Sequence, residues 1–123
     1  MKNIMIVEDE FIIALEIKIK LEKHGYEVKT VHNGEGAIDS ANTNTFDLIL
    51  MDILLNKGMD GIDAATHIRK KLQIPIVYLT GNTHLKNDDR LRATNPYAVL
   101  SKPVSDTELL DTINEAASTF YSD

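Results

Sequence analysis

The 123-residue chain has 43% hydrophobic and 26% charged residues, a composition typical of one soluble domain with a single hydrophobic core. Its formal net charge of -6 disfavours binding to a nucleic-acid backbone, which requires clustered Lys and Arg. No apolar run approaches the roughly 18 residues of a membrane span, and the N-terminus has no cleavable signal pattern. Because the chain lacks cysteine, disulfides and thiolate metal sites are excluded, and we expect a cytoplasmic location.

The first half of the chain alternates between strand patterns and helix patterns. Residues 4–7 form a short apolar run typical of a buried strand, and residues 11–24 have the length and composition of a helix. Residues 26–31 alternate and are rich in β-branched and aromatic side chains, which predicts a second strand. A second helix is predicted over residues 34–41, and a third strand over residues 47–51.

The second half of the chain continues this alternation. We predict a helix over residues 62–72 and strands over residues 76–79 and 97–100. The segment 83–94 is predicted as a single weak helix, because its few apolar residues form only a narrow stripe. The last helix begins at Ser105 with the capping-box pattern SDTE. Five strands alternating with five helices predict one doubly wound (βα)5 domain, a three-layer α/β sandwich with a five-stranded parallel sheet.

Reactive side chains directly follow four of the five predicted strands. Glu8 and Asp9 follow the first strand, Asp52 the third, Thr80 the fourth and Lys102 the fifth. Because parallel strands end at one edge of a sheet, we expect these side chains to converge there. Crowded carboxylates repel one another, and a divalent cation such as Mg²⁺ relieves that repulsion. A carboxylate can also act as a nucleophile toward phosphorus, with a lysine neutralising the charge of the phosphoryl group.

Five short motifs resemble those of the response-regulator receiver domain, in the same order and at the same spacing. They are VEDE at 7–10, MDI at 51–53, MDGI at 59–62, YLTG at 78–81 and SKP at 101–103. The resemblance covers essentially the whole chain and implies a flavodoxin-like fold and a switch of two-component signal transduction. The longer string over residues 52–61 is similar to receivers found beside sensory histidine kinases.

The resemblance implies a role for each matching acid. Asp52 would accept a phosphoryl group from the phosphohistidine of a sensor histidine kinase or phosphotransfer protein. Asp9 directly, and Glu8 through water, would hold Mg²⁺ together with Asp52 and the backbone carbonyl of Leu54. The chain would thus catalyse its own phosphorylation and dephosphorylation while acting mainly as a switch. Two residues near the phosphoryl group could influence its hydrolysis. Leu54 could screen the phosphoryl group from attacking water, or Asn82 could orient that water.

The resemblance also implies how the product is sensed. Thr80 would move toward the phosphoryl oxygens. Lys102 would pair with Asp52, and a cis peptide bond to Pro103 would set the direction of the lysine side chain. Many receivers carry Tyr or Phe three residues before the lysine, where this chain has Val99. Either Tyr97, on the same strand face, replaces that ring, or the signal leaves elsewhere. The weak helix over residues 83–94 is either ordered by the phosphoryl group or a mobile surface segment.

The first helix carries a second apolar stripe beside its core face. This stripe, called the α1 stripe below, consists of Phe11, Ile12, Leu15 and Ile19. It is interpreted as the docking surface for a kinase helix, or alternatively as a face covered by loops and lysine stems. The four histidines lack metal-ligand spacing and are interpreted as surface or loop residues: His24, His32, His67 and His84.

Residues 1–123 are expected to form the receiver domain with no attached output domain, as a monomer or weak dimer. Its output would be a change in an unidentified downstream protein partner, without binding to nucleic acid or membrane. Three alternatives are weaker. An aspartate-nucleophile phosphatase generally has a second Asp where this chain has Leu54, and a nucleotide or flavin binder needs a phosphate-cradling loop after the first strand. A vestigial interaction module would not need the intact set of acids, threonine and lysine.

Overall fold

A computed structural model describes residues 2–118, except for the side chain of Thr83, and contains one sheet of five parallel strands in the order β2-β1-β3-β4-β5. The strands are β1 Asn3–Val7, β2 Glu27–Val31, β3 Leu48–Asp52, β4 Ile76–Thr80 and β5 Ala98–Ser101. Strands β3 and β4 are buried along their whole length, which explains their unbroken apolar sequences. All five predicted strands are confirmed, with boundaries that differ by at most one residue.

Helices cover both faces of this sheet, as predicted. They are α1 Phe11–Lys23, α2 Gly34–Thr43, α3 Gly61–Arg69, α4 Asp89–Ala93 and α5 Asp106–Ser118. Buried residues of α1 and α5 pack on one face, and those of α2, α3 and α4 pack on the other. The predicted doubly wound three-layer α/β fold is therefore confirmed. In the part of the chain that the structure describes, no helix combines the length and apolar character needed to cross a membrane.

The prediction of one continuous helix over residues 83–94 was wrong. A 3₁₀ helix, Thr83–Asn87, is separated from α4 by Asp88, which has extended backbone angles of φ -69° and ψ 129°. The Asp88 carboxylate accepts hydrogen bonds from the backbone N–H groups of Arg90 and Leu91, at 2.7 and 3.3 Å, and so caps α4. Few apolar residues anchor this segment, so local capping determines where its helices begin.

Contacts at both ends hold the short helix α4 in place. Near its start, Arg90 forms exposed ion pairs with Asp60 and Asp63 at the beginning of α3, at 3.2 and 2.8 Å. At its end, the buried hydroxyls of Tyr78 and Thr94 lie 2.6 Å apart. Exposed ion pairs contribute little, whereas a buried polar pair is costly to break. The C-terminal end of α4 is therefore the firmer anchor.

Candidate functional site

Three acidic side chains meet where β1 and β3 end side by side. Glu8, Asp9 and Asp52 each place a carboxylate oxygen within 4.8 Å of the others, and this set is called the acid cluster below. The chain runs from β1 to its neighbour β2 on one side and from β3 to its neighbour β4 on the other side. The ends of β1 and β3 therefore form the topological switch point of the sheet. Glu8 and Asp52 are buried, and Asp9 is half-buried. The structure thus brings the three predicted acids together.

Glu8 is the most deeply buried member of the acid cluster. Its Oε2 accepts a hydrogen bond from the backbone N–H of Glu10 at 3.2 Å. Its buried Oε1 has no hydrogen-bond partner among the described residues. Burial raises the pKa of Glu8 from 4.5 to about 7, the Glu10 N–H and the charge of Lys102 oppose the rise, and the charge of Asp52 adds to it. An orphaned carboxylate oxygen beside two further carboxylates suits an oxygen-seeking divalent cation.

Lys102 supplies positive charge to this cluster. Its Nζ donates a hydrogen bond to Asp52 Oδ2 at 3.1 Å and lies 3.6 Å from Glu8 Oε1. Burial alone would lower the pKa of Lys102, but the hydrogen bond and charge of Asp52 and the charge of Glu8 outweigh burial and raise it. Lys102 therefore remains an ammonium ion at neutral pH. The Lys102–Pro103 bond is cis, as the resemblance implied.

Thr80 ends β4, one residue beyond Leu79, which pairs with Asp52 across the sheet. Its side chain is buried, and its Oγ1 accepts a hydrogen bond from the N–H of Asn82 at 3.0 Å. Asn82 Oδ1 in turn accepts from the N–H of His84 at 3.0 Å and caps the 3₁₀ helix. The side-chain amide oxygen of Asn82 is thus engaged in capping, and that Asn82 orients water at the site stays a prediction.

The loop after β3 contacts two of the acids through its backbone. The N–H of Leu54 donates to Asp52 Oδ1 at 3.2 Å, and the N–H of Asn56 donates to Asp9 Oδ2 at 3.1 Å. The Leu54 side chain is 62% exposed beside the acids. That the Leu54 carbonyl is a metal ligand stays a prediction. The oxygen-only donor set fits Mg²⁺, with Glu8, Asp9 and Asp52 as the residues that could hold it.

Two residues at this site escaped the sequence analysis. The N–H of Asn56 reaches Asp9 only because the loop folds back, and nothing in the residue types indicates this. His32 lies in the loop after β2, as predicted, but it is half-buried and its Nδ1 lies 2.9 Å from the backbone oxygen of Glu8, a contact that the sequence did not indicate. The remaining three histidines are exposed, as predicted: His24, His67 and His84.

The α1 stripe lies on the surface beside the acid cluster. Its four side chains are between 45% and 75% exposed, whereas Ala14, Ile17 and Leu21 of the same helix are buried. The prediction that α1 has a second apolar face at the surface is therefore confirmed, with the ring of His32 as a partial cover at Phe11. Exposed apolar surface of this kind is typical of a partner-binding face.

The sheet order and the acid cluster define a doubly wound α/β protein with a group of acids at its switch point that could hold a divalent cation. The family model of the response regulator receiver domain matches residues 4–114. The chain therefore belongs to the response regulator receiver domain family of two-component signal transduction. This confirms the family that the motifs predicted.

Individual relatives agree with this assignment. The chain is 35% identical over 120 residues to the transcriptional regulatory protein PdtaR of Mycobacterium tuberculosis, a match of 97% of this chain and 58% of that protein. A CheY-like receiver domain protein from Methanospirillum hungatei has a TM-score of 0.89 at 29% identity, covering 95% of this chain and 94% of that one. The response regulator TrrA from Thermotoga maritima, solved with Mg²⁺-BeF, has a TM-score of 0.87 at 32% identity, covering 94% and 99%. The chain thus spans little more than half the length of the curated relative.

Proposed function

We propose that Asp52 is the phospho-acceptor of this receiver and that its phosphorylation changes which protein partner the domain binds. The observation that carries the proposal is the setting of its carboxylate. Asp52 is buried beside Lys102 and two further acids, one of which has a buried oxygen without a hydrogen bond. A buried nucleophile with a fixed cation and a set of metal ligands beside it is what phosphoryl transfer to a carboxylate requires.

Glu8, Asp9 and Asp52 would hold Mg²⁺, which when bound supplies positive charge that stabilises the phosphoryl oxygens. A carboxylate oxygen of Asp52 attacks phosphorus and forms the new P–O bond. The P–N bond to the donor histidine breaks, and its electron pair stays on the imidazole nitrogen. The ammonium group of Lys102, held 3.1 Å from Asp52, stabilises the charge that develops during transfer. The Thr80 hydroxyl, which donates to the backbone carbonyl of Asn82 at 3.4 Å in this structure, would then donate to a phosphoryl oxygen instead.

Intact-mass measurement tests this proposal. The protein is incubated with Mg²⁺ and either acetyl phosphate or phosphoramidate, and the expected result is one phosphoryl adduct. Asp52→Asn should abolish the adduct, because the amide cannot act as the nucleophile. Asp39→Asn, which changes an exposed acid on α2, should keep it. A wild-type protein without adduct at any Mg²⁺ concentration, or an adduct retained in Asp52→Asn, would contradict the proposal.

The proposed phosphodonor is a histidine kinase or phosphotransfer protein that docks on the α1 stripe. This stripe begins with Phe11, directly after the acid cluster, so a donor helix lying on it would bring a phosphohistidine close to Asp52. Because such a kinase uses cytoplasmic ATP, a cytoplasmic location is part of the proposal.

Replacing Leu15 and Ile19 with Ser should slow transfer from a phosphorylated kinase but leave the rate with acetyl phosphate unchanged. Both side chains are exposed and neither contributes to the buried core, so the substitutions spare the fold. The two rates are measured on the same protein preparation. Equal slowing with both donors would show that the stripe supports the site and does not dock the donor.

A further inference from the structure

Both backbone polar groups of Glu8 are held by the end of β2. The N–H of Glu8 donates to the carbonyl of Val31 at 3.0 Å. The carbonyl of Glu8 lies 2.9 Å from Nδ1 of His32. Because a backbone carbonyl can only accept, the Nδ1 of His32 carries the proton in this contact. The regular pairing of β1 with β2 ends at Val7 and Val31, so the imidazole supplies the donor just beyond the point where the ladder stops.

The His32 ring is also packed from the outside. The ring centroids of His32 and Phe11 are 3.9 Å apart, with an interplanar angle of 56°. Phe11 is the first residue of α1, and the Glu10 side chain at the helix N-cap makes no capping hydrogen bond. The short connection from Glu8 to α1 therefore depends on contacts other than a cap. His32 contributes two of them, one to the backbone of Glu8 and one to the start of the helix.

We infer that His32 is a positioning residue for the proposed Mg²⁺ site, acting through the backbone of Glu8. The inference depends on the proposed role of the acid cluster. By fixing the Glu8 carbonyl, the Nδ1–H of His32 holds the buried carboxylate so that one of its oxygens stays in the acid cluster. His32 does not belong to the ligand set itself. Partners that orient metal ligands in this way change metal affinity by about 10- to 100-fold when they are removed.

Two substitutions separate the hydrogen bond from the ring packing. His32→Asn places an amide N–H near the position of Nδ1 but removes the ring. His32→Phe keeps an aromatic ring against Phe11 but removes the donor. The hydrogen-bond role predicts that the Phe variant binds Mg²⁺ about tenfold more weakly while the Asn variant stays within about threefold of wild type. A role in packing alone predicts the reverse order.

The measurement is a calorimetric titration of each protein with Mg²⁺ alone, without a phosphodonor. His24→Phe is the matched control, because His24 Nδ1 also contacts a backbone carbonyl, that of Lys20 at 3.0 Å, but at the far end of α1. Its Mg²⁺ affinity should equal that of wild type. As a second readout, the phosphorylation rate of His32→Phe with acetyl phosphate should recover at saturating Mg²⁺, since binding is impaired and the reacting groups are intact.

The outcomes distinguish this inference from the proposed function. If wild type does not bind Mg²⁺, the proposed site fails and the inference fails with it. If wild type binds and His32→Phe binds equally well, or if the Asn variant is the weaker of the two, only the inference is overturned. Thermal unfolding establishes that each variant is folded. Should the Phe variant not fold, His32→Gln replaces it. The amide of Gln lies one bond farther from the backbone than that of Asn and does not match the position of Nδ1. Equal Mg²⁺ affinities of His32→Gln and His32→Asn would then overturn the inference.

Discussion

The positive charge of Lys102 partly neutralises two acids. Its effect on the site therefore depends on whether a cation or a phosphoryl group is also bound. Its ammonium group lies 3.1 Å from Asp52 and 3.6 Å from Glu8. Without metal, it offsets part of the repulsion within the acid cluster. With a divalent cation, it becomes a like charge close to the same ligands. During transfer, however, it is the side chain placed to stabilise the phosphoryl group.

Lys102→Met should therefore change metal binding and phosphorylation in opposite directions. We expect Mg²⁺ to bind more tightly, because a competing positive charge is gone. We expect phosphorylation by acetyl phosphate to slow by about 10²-fold, the usual effect of losing one charge-stabilising group. Calorimetry and intact mass measure the two quantities. Lys20→Met removes an exposed ion pair with Asp106 and should alter neither, whereas weaker Mg²⁺ binding in Lys102→Met would contradict the argument.

Residues that directly follow a strand could be placed from the sequence. Glu8, Asp52 and Lys102 are each tied to the end of one parallel strand, and topology brings those ends together. His32 also lies just after a strand, but its role depends on which backbone group its ring nitrogen meets. Asn56 contributes only a backbone N–H, which every residue but proline carries. Such contacts depend on the path of the chain and cannot be predicted from the residue types.

At the level of elements, α3 begins in direct contact with the end of β3. The N–H of Gly61 donates to the carbonyl of Ile53 at 2.8 Å. A Cβ atom at Gly61 would overlap the carbonyl oxygen of Asp52 and lie 2.9 Å from the Cα of Ile53. Both neighbours are backbone atoms, which cannot move aside as a flexible side chain could. The absence of a side chain at Gly61 thus allows α3 to start directly beside the proposed phospho-acceptor.

Gly61→Ala should destabilise the fold by about 2–3 kcal/mol, the usual cost of overpacking a rigid site. Urea unfolding followed by circular dichroism measures this free energy. Gly81→Ala is the matched control, since a Cβ there meets nothing within 4 Å, and it should leave stability unchanged or raise it by up to about 1 kcal/mol. Equal stability of the two variants would mean that β3 and α3 can separate without cost.

The connection between β4 and α4 offers a path for the signal that does not need an aromatic residue at Val99. Tyr78 lies on β4 two residues before Thr80, and therefore on the same strand face. Its buried hydroxyl pairs with Thr94 Oγ1, which also donates to the carbonyl of Leu91 at 2.6 Å. Displacement of β4 at Thr80 would thus be transmitted to α4, whose C-terminal end is fixed to the same strand.

A double-mutant cycle measures this connection. Tyr78→Phe, Thr94→Val and the double variant are compared by urea unfolding, and we expect a coupling energy of about 1 kcal/mol, because both hydroxyls are buried and hydrogen-bonded to each other. Burial raises the pKa of Tyr78 to about 12, so the phenol stays protonated throughout the measurable range. A coupling energy near zero would show that the two hydroxyls are not linked energetically.

The sequence predicted the strands better than the segment between β4 and β5. Buried parallel strands have continuous apolar runs, and these runs identified β3 and β4 almost to the residue. The segment 83–94 has one buried apolar residue in α4, Leu91, so hydrophobic pattern carries little information there. Its breaks are set by the caps at Asn82 and Asp88, which compete with helix continuation.

For the whole molecule, the acid cluster couples folding to pH. The pKa of Glu8 is raised from 4.5 to about 7, chiefly by burial. Between those two values the folded protein binds a proton at Glu8 that the unfolded chain has released. The contribution of Glu8 to stability therefore falls as pH rises from about 4.5 to about 7 and is constant above that range. Stability is lost because a charged carboxylate is then buried without a full set of partners.

Glu8→Gln removes this dependence, because the amide has no proton to lose. We expect the variant and wild type to have similar free energies of unfolding near pH 4.5 and the variant to be the more stable above about pH 7, when metal is absent. Urea unfolding in EDTA at intervals across this range measures the difference, in which acids that do not interact with Glu8 cancel. Added Mg²⁺ should then favour wild type at pH 8, because only its carboxylate can ligate the cation. Parallel stability curves for the two proteins would show that Glu8 keeps its ordinary acidity in the folded state.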